Sequence, residues 1–155
     1  MTQDESNDTL ADATWLAHRY DGVTDSIQFR HFERSRHAEG PFLTDEYLGD
    51  APLRVIPRSN AVQGATTAPV HFIFHSAFCA STMLTRALDY PGVAAGLSEP
   101  VILNDIVGVR RRGEAQRPQI AALLDNALTL LSRPFSPGEA VVVKPSNILN
   151  SLAGA

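Results

Sequence analysis

An α/β layered fold built on a parallel sheet is predicted by three features of this sequence. From Val70 onward, apolar runs of strand length alternate with segments of helical periodicity in the order β, α, β, α, α, β. Residues 140–143 read Ala-Val-Val-Val, an unbroken and mostly β-branched run of the kind found in a strand covered on both faces. Prolines stand where helices open, at Pro100 and Pro118, and Tyr-Pro-Gly stands where one closes. Residues 70–155 are therefore expected to form the α/β domain. Residues 13–69 are expected to be an irregular N-terminal arm and linker, and residues 1–12 a flexible polar tail.

Taken in order, Trp15 to Tyr20 reads as a short helix with Thr14 available to cap it, and Ser26 to Phe32 as a partly alternating strand. Thr44 can cap a turn of helix through Glu46 and Leu48. PRSNAVQGATTAP, residues 57–69, reads as a connector because it combines two prolines, a glycine and small polar residues. His71 to His75 follows as a strand, Ser81 to Asp89 as a helix, and Ala94 to Leu97 as a short strand. In the second helix Val101, Ile102, Asp105, Ile106 and Val109 lead to Arg110, Arg111 and Arg112, which suit a helix C-terminus. In the third, Ile120, Leu123, Leu124, Ala127, Leu128 and Leu131 recur at three-and-four spacing.

Length and composition bound the function. The 155 residues, 44% hydrophobic, support one core. The lone Cys79 cannot form an internal disulfide, the acidic start is unlike a signal peptide, and no apolar run reaches the ~20 residues of a membrane span. These features point to a cytoplasmic chain with no membrane partner. Residues 1–50 carry eleven acids against four arginines, whereas residues 51–155 carry nine basic groups against six acids. That mild positive balance lacks the dense basic face of a nucleic-acid binder but suits a small anion.

The stretch FIFHSAFCASTML, residues 72–84, poses the central question. A strand ends here without any Gly, Pro, Asn or Asp between Val70 and Leu88, so the usual turn residues are absent. The octet His75, Ser76, Ala77, Phe78, Cys79, Ala80, Ser81 and Thr82 fits the frame of a loop whose backbone N–H groups, with the next helix's positive end, face a phosphate. Ala80 is small enough for close approach, and Ser81 and Thr82 add hydroxyls. The other reading is a strand-to-helix turn closed by a capping hydroxyl. Both glycines and the lysine of the common nucleotide loop are missing, which argues against Mg-ATP hydrolysis.

FCASTMLTRALD, followed by LSEPVIL, resembles the first nucleotide loop and downstream glutamate of the sulfotransferase branch of P-loop proteins. In that pattern, [KR]-S-G-T-T-x-L, Cys79 stands for Ser, Ala80 for Gly, Ser81 and Thr82 for the Thr pair, and Leu84 for Leu. Phe78 occupies the place of the basic residue. The stretch from His71 through VVVKPSN, with EGPFL at Glu39 to Leu43, is similar to proteobacterial sulfotransferase-like proteins over the N-terminal half of such domains. The resemblance implies a three-layer P-loop NTPase-like parallel sheet that is incomplete here, because the later Arg and Ser that grip a 3'-phosphate are not found. It implies 3'-phosphoadenosine 5'-phosphosulfate as donor, and sulfuryl transfer to a small hydroxyl-bearing acceptor in the complete protein. It also implies that a second chain could complete the sheet.

Two further residues are candidates for catalysis. Glu99 can take a proton from an acceptor hydroxyl, or cap the helix begun at Pro100. Lys144, the sole lysine, leaves the apolar strand at the ligand edge and can supply the charge missing at Phe78, or stand as a solvated strand end. Ser146 and Asn147 can cap a helix or meet a phosphate, and Arg86 can reach a phosphate or face solvent. Cys79 reads more readily as a packed thiol than as a nucleophile, and His71, His75 and Cys79 make a poor metal set, so no metal is expected. The competing functions are a non-catalytic nucleotide-binding or interaction fragment, and a kinase-like phosphotransferase preferring Mg-ATP.

Overall fold

The computed structural model describes residues 9–63, 65–76 and 78–152. Of the expectations above, most of the polar tail, the loop residue Ala77 and the final three residues lie outside the described set. The described residues form two sheets. Strands β1 (Trp15–Asp21), β2 (Ser26–His31) and β3 (Leu53–Pro57) make an antiparallel sheet in the order β1-β2-β3. Strands β4 (Val70–Phe72), β5 (Ala94–Ser98) and β6 (Ala140–Lys144) make a parallel sheet in the order β4-β6-β5. Short helices α1 (Asp45–Leu48) and α2 (Arg58–Ala61) flank β3, and α3 (Ser81–Leu88), α4 (Val101–Arg111) and α5 (Arg117–Leu131) connect the parallel strands. Arg34–Ala38 and Asn147–Leu152 are 3-10 turns.

The β, α, β, α, α, β order expected after Val70 is the observed one, and β6 is the central strand, buried from Val141 to Lys144. Central placement explains its unbroken apolar run, since both faces and both edges are covered. Helices α4 and α5 pack on each other and on β1. Their residues Ile102, Ile106, Ile120 and Leu130 share one core with Leu97, Val141 and Val143 of the parallel sheet and with Ile27, Phe29 and Ile56 of the antiparallel one. Both faces of this helical layer therefore meet a sheet. Across the opposite face of the parallel sheet, α3 packs on β5 and β6. Gly96 is required at that crossing, because a Cβ there would stand 2.6 Å from the carbonyl oxygen of Thr85.

Four expectations are corrected. The N-terminal arm is not irregular but a sheet, and Trp15 to Tyr20 is its first strand rather than a helix. A register shift between Ala17 and Arg19 buries Leu16, Ala17 and His18 in succession, which erases the alternation that would have marked a strand. β3 went unseen because it is an edge strand with only Ile56 buried, running straight into the proline that opens the expected connector. Part of the segment read as a flexible tail is packed, since Thr9 is 0% and Leu10 6% exposed. The buried guanidinium of Arg133 holds that segment by donating to the carbonyls of Thr9 and Leu10 at 2.9 and 3.2 Å, and to that of Trp15.

The fourth concerns β4. Residues 71–75 were expected to form a buried strand, but only Val70–Phe72 is regular and Phe72 is 39% exposed. β4 is an edge, while the last strand in sequence is not. No helix among the described residues is long and apolar enough to cross a membrane.

Candidate functional site

Parallel strands deliver their exits to one end of a sheet, and here that end gathers the residues after β4, β5 and β6. After β4 the chain keeps one more ladder bond, from the amide of Ile73 to the carbonyl of Val143 at 3.0 Å, and then turns away. His75 ties the turn to the exit of β6. Its Nδ1 lies 2.9 Å from the carbonyl oxygen of Ser76 and its Nε2 3.0 Å from that of Pro145. Cys79 Sγ donates to the same Ser76 carbonyl at 3.0 Å.

The absence of glycine has a backbone consequence. Phe78 and Ala80 both adopt left-handed conformations, with φ of 59° and 58°, and Ala80 is the residue that precedes α3. An L-residue with a Cβ in that region costs roughly 1–2 kcal/mol, so the loop holds its shape against a local penalty. No side chain caps α3. The reading of a turn closed by a capping hydroxyl is thereby corrected. Ser81 is 8% exposed and Thr82 is half-buried, while the Phe78 ring is fully exposed at the tip. The open first turn of such a helix suits an acceptor such as water or an anion.

Glu99 and Lys144 meet directly. Lys144 Nζ donates to Glu99 Oε1, the amide of Glu99 donates to the Lys144 carbonyl at 2.7 Å, and the ammonium lies 5.0 Å from the centroid of the Phe42 ring. Lys144 is only 1% exposed, so it is not a solvated strand terminus. Glu99 retains 19% side-chain exposure and has a φ of 51°, the third strained non-glycine residue at this end of the sheet. It does not cap α4, whose preceding residue is Pro100 and which has no side-chain cap. A buried lysine remains charged only beside such a partner, because desolvation penalises an isolated ammonium by several kcal/mol.

The sequence offered no role for the segment from Glu39 to Leu43, yet it completes this region. Leu43 donates its amide to the Ser98 carbonyl at 2.8 Å, which seats Phe42 over Lys144. Beneath it lies a cavity of about 130 Å³, lined in part by His37, Phe42, Thr85, Arg86 and Ser98. His37 stacks on Phe32 and abuts Phe135, and burial pushes its pKa below the usual histidine value. Ser98 Oγ has no hydrogen-bond partner among the described residues, and His37 lies beside the Gly96 backbone. The quoted string EGPFL was the one available signal for this segment, but its pairing with β5 is a long-range contact that local pattern does not encode.

Other candidates are used elsewhere. Arg86 donates to the Gly40 carbonyl at 2.8 Å and so braces this segment. Arg110 donates to the Ser151 carbonyl, and Arg112 pairs with Glu114. Ser146 accepts the amide of Leu149 through its carbonyl as Asn147 opens the final turn. Cys79 is an exposed free thiol, not a packed one. The structure thus joins Glu99 to Lys144, and joins both to the loop through His75 and Pro145.

Comparison with protein-family models, with curated proteins and with solved structures finds no match to this chain.

Proposed function

We propose that the loop from His75 to Thr82 binds the phosphate end of a nucleotide, and that the chain is a sulfotransferase-like nucleotide-binding module. The observation that carries this reading is the loop's backbone: two left-handed residues without glycine, Phe78 and Ala80, leading into an α3 whose first turn has no side-chain cap. Alternating right- and left-handed backbone turns successive amides toward one point, which makes a concave site for an anion. Strained conformations kept at a ligand edge favour a binding role over a plain reversal.

The donor implied by the resemblance, 3'-phosphoadenosine 5'-phosphosulfate, would supply a sulfuryl group and a phosphate as leaving group. In this reading the amides around Cys79 to Thr82 hold the leaving phosphate and stabilise its growing charge. Glu99 faces the acceptor side, where its carboxylate can accept a hydroxyl proton, and Lys144 fixes that carboxylate in place. Lys144 then acts as an orienting partner for Glu99 and does not replace the basic side chain missing at Phe78.

A second reading, nucleotide binding without turnover, is favoured by one observation: the only lysine commits its ammonium to Glu99, leaving no lysine or arginine on the loop itself. A kinase-like reading has no such support. Calorimetric titration of the full chain with adenosine 3',5'-bisphosphate, with ATP in the presence and absence of magnesium, and with inorganic phosphate separates these two nucleotide-binding readings from the kinase-like one, and transfer of sulfate from 3'-phosphoadenosine 5'-phosphosulfate to a hydroxyl acceptor separates the first from the second. Saturable, magnesium-independent binding of the bisphosphate, tighter than ATP, is expected. Silence toward all three ligands sinks the proposal, and magnesium-dependent preference for ATP replaces it with the kinase-like one.

A further inference from the structure

Where the parallel ladder between β4 and β6 ends, a side chain takes over from the backbone. Val141 donates to the Pro69 carbonyl and Ile73 to the Val143 carbonyl, so the next bond in this series would run from the His75 amide to the Pro145 carbonyl. Regular pairing stops at Phe72 and Val143, and Pro145 has no N–H to prolong it from the other strand. The Pro145 carbonyl meets the His75 ring instead, with Nε2 at 3.0 Å. The other ring nitrogen, Nδ1, lies 2.9 Å from the Ser76 carbonyl. Asn150 of the final 3-10 turn donates Nδ2 to the His75 carbonyl at 3.3 Å, which holds the residue from a third segment.

Both ring contacts are with carbonyl oxygens, which only accept. A neutral imidazole has one N–H and one bare nitrogen, so either tautomer sets a lone pair against one of the two oxygens. Only the doubly protonated ring donates to both, and donation from a charged ring makes each bond stronger than a neutral one. We infer that the loop holds its shape, and takes its anion, together with a proton: the imidazolium of His75 straps the loop to the exit of β6, and loss of that proton undoes one of the two bonds. Coupling to the anion rests on the phosphate-binding reading above, whereas the strap does not.

The strap lies at the foot of a backbone that needs holding. Phe78 and Ala80 keep left-handed conformations against a local penalty, and the Ser76 carbonyl that His75 engages also accepts from Cys79 Sγ at 3.0 Å. From His75 to Thr82 there is no lysine or arginine, so the imidazolium is the one cation among the loop's side chains. Histidine gains and loses its second proton between pH ~5 and ~8, which makes the strap reversible. It is complete on the acid side and one bond short on the alkaline side. The titratable groups on the elements around the ring are His71 on β4, Cys79 on the loop, and Lys144 just before Pro145, already paired with Glu99; the turn from Asn147 to Leu152 brings none. Neither ring nitrogen meets a carboxylate.

NMR of the full chain from about pH 5.5 to about pH 8.5, with sulfate titration at both ends of that range, tests the strap and the coupling separately. Sulfate is the probe because it is a tetrahedral oxyanion that does not itself titrate there. At the acid end both ring nitrogens of His75 should carry a proton, and as the pH rises the amide resonances of Phe78, Cys79 and Ala80 should shift with the same midpoint as the ring. His75→Gln should abolish that loop transition, whereas His71→Gln should keep it. Loop resonances that ignore the titration of His75, or a ring with one bare nitrogen at the acid end, overturn the strap. Sulfate should bind about tenfold more tightly at the acid end, the worth of one charge-assisted hydrogen bond, with most of that difference lost in His75→Gln. Equal affinity at the two ends overturns the coupling and leaves the phosphate-binding reading standing. A loop transition without sulfate binding at either end overturns that reading and leaves the strap. Should His75→Gln fail to fold by circular dichroism, the wild-type resonances decide alone.

Discussion

Lys144 and Glu99 form an unequal pair. The lysine is 1% exposed while the glutamate side chain keeps 19%, so the cost of losing each partner differs. Glu99→Gln leaves a buried ammonium without its counter-ion and should destabilise the fold by about 3–5 kcal/mol. Lys144→Met keeps the apolar stem in place and leaves a carboxylate that water can reach, so its cost should be nearer ~1–2 kcal/mol. Urea denaturation of the two variants and of the double variant checks the order, with the double variant more stable than Glu99→Gln. Equal losses in the single variants would show that the pair is not buried in the manner described. Both residues stood out in the sequence, Lys144 by its place after Ala-Val-Val-Val and Glu99 by the proline after it. Their partnership did not, because it spans 45 positions and depends on β5 and β6 lying side by side.

The loop before α3 is the element in which local preference and observed backbone disagree. Ala80 and Phe78 occupy φ values that glycine adopts freely, and a sequence without glycine gives no warning of them. Ala80→Gly should raise stability by about 0.5–1 kcal/mol, the gain expected when a Cβ is removed from left-handed backbone, less the extra freedom of the unfolded chain. Ala80→Val, with a β-branched side chain at the same φ, should lower it by at least as much. Chemical denaturation midpoints read both changes, and a destabilising Ala80→Gly would show that this backbone is not strained. The helices around the loop were legible because each carries its own punctuation. The amide of Gln116 donates to Gln119 Oε1 at 2.7 Å beside Pro118, and Pro100 precedes α4. β1 and β3 carried no such marks, one disguised by its bulge and the other by its exposure.

At the scale of the molecule, one layer of helices is shared by two sheets, and charged groups mark the joins. Arg19 of β1 holds Asp105 of α4 through two bonds of 2.9 Å and reaches Asp45 of α1 at 2.6 Å. Arg34 spans Asp89 and Glu139 at 2.6 Å each. Burial pushes Arg133, donor to the N-terminal carbonyls, down to about 10. Two buried histidines set the acid response. Burial lowers both His18 and His37 from the model-compound value of 6.5, with Asp45 partly opposing the shift at His18. Below pH 6.5 the unfolded chain takes up protons that the folded chain refuses, so stability is full above that pH and falls beneath it. Each group adds up to about 1.4 kcal/mol per pH unit until its folded-state pKa is reached. The melting temperature should therefore drop between pH 7.5 and 5.5, and His37→Phe and His18→Gln should each flatten that dependence. A profile that is level across this range would contradict the assignment.

What the sequence by itself determined is everything that adjacent residues can specify: the order of strands and helices after Val70, the points where helices open, and the burial of Val141 to Val143. Those features depend on periodicity and on backbone chemistry within a few positions. Only the tertiary structure decided that the N-terminal segment is a sheet, that β4 is an edge and β6 the centre, and that Phe42 roofs the Lys144 ammonium. Each of these is a pairing between distant segments, selected by how much apolar surface and how many backbone hydrogen bonds the whole chain can satisfy together, and no short window of residues contains that comparison.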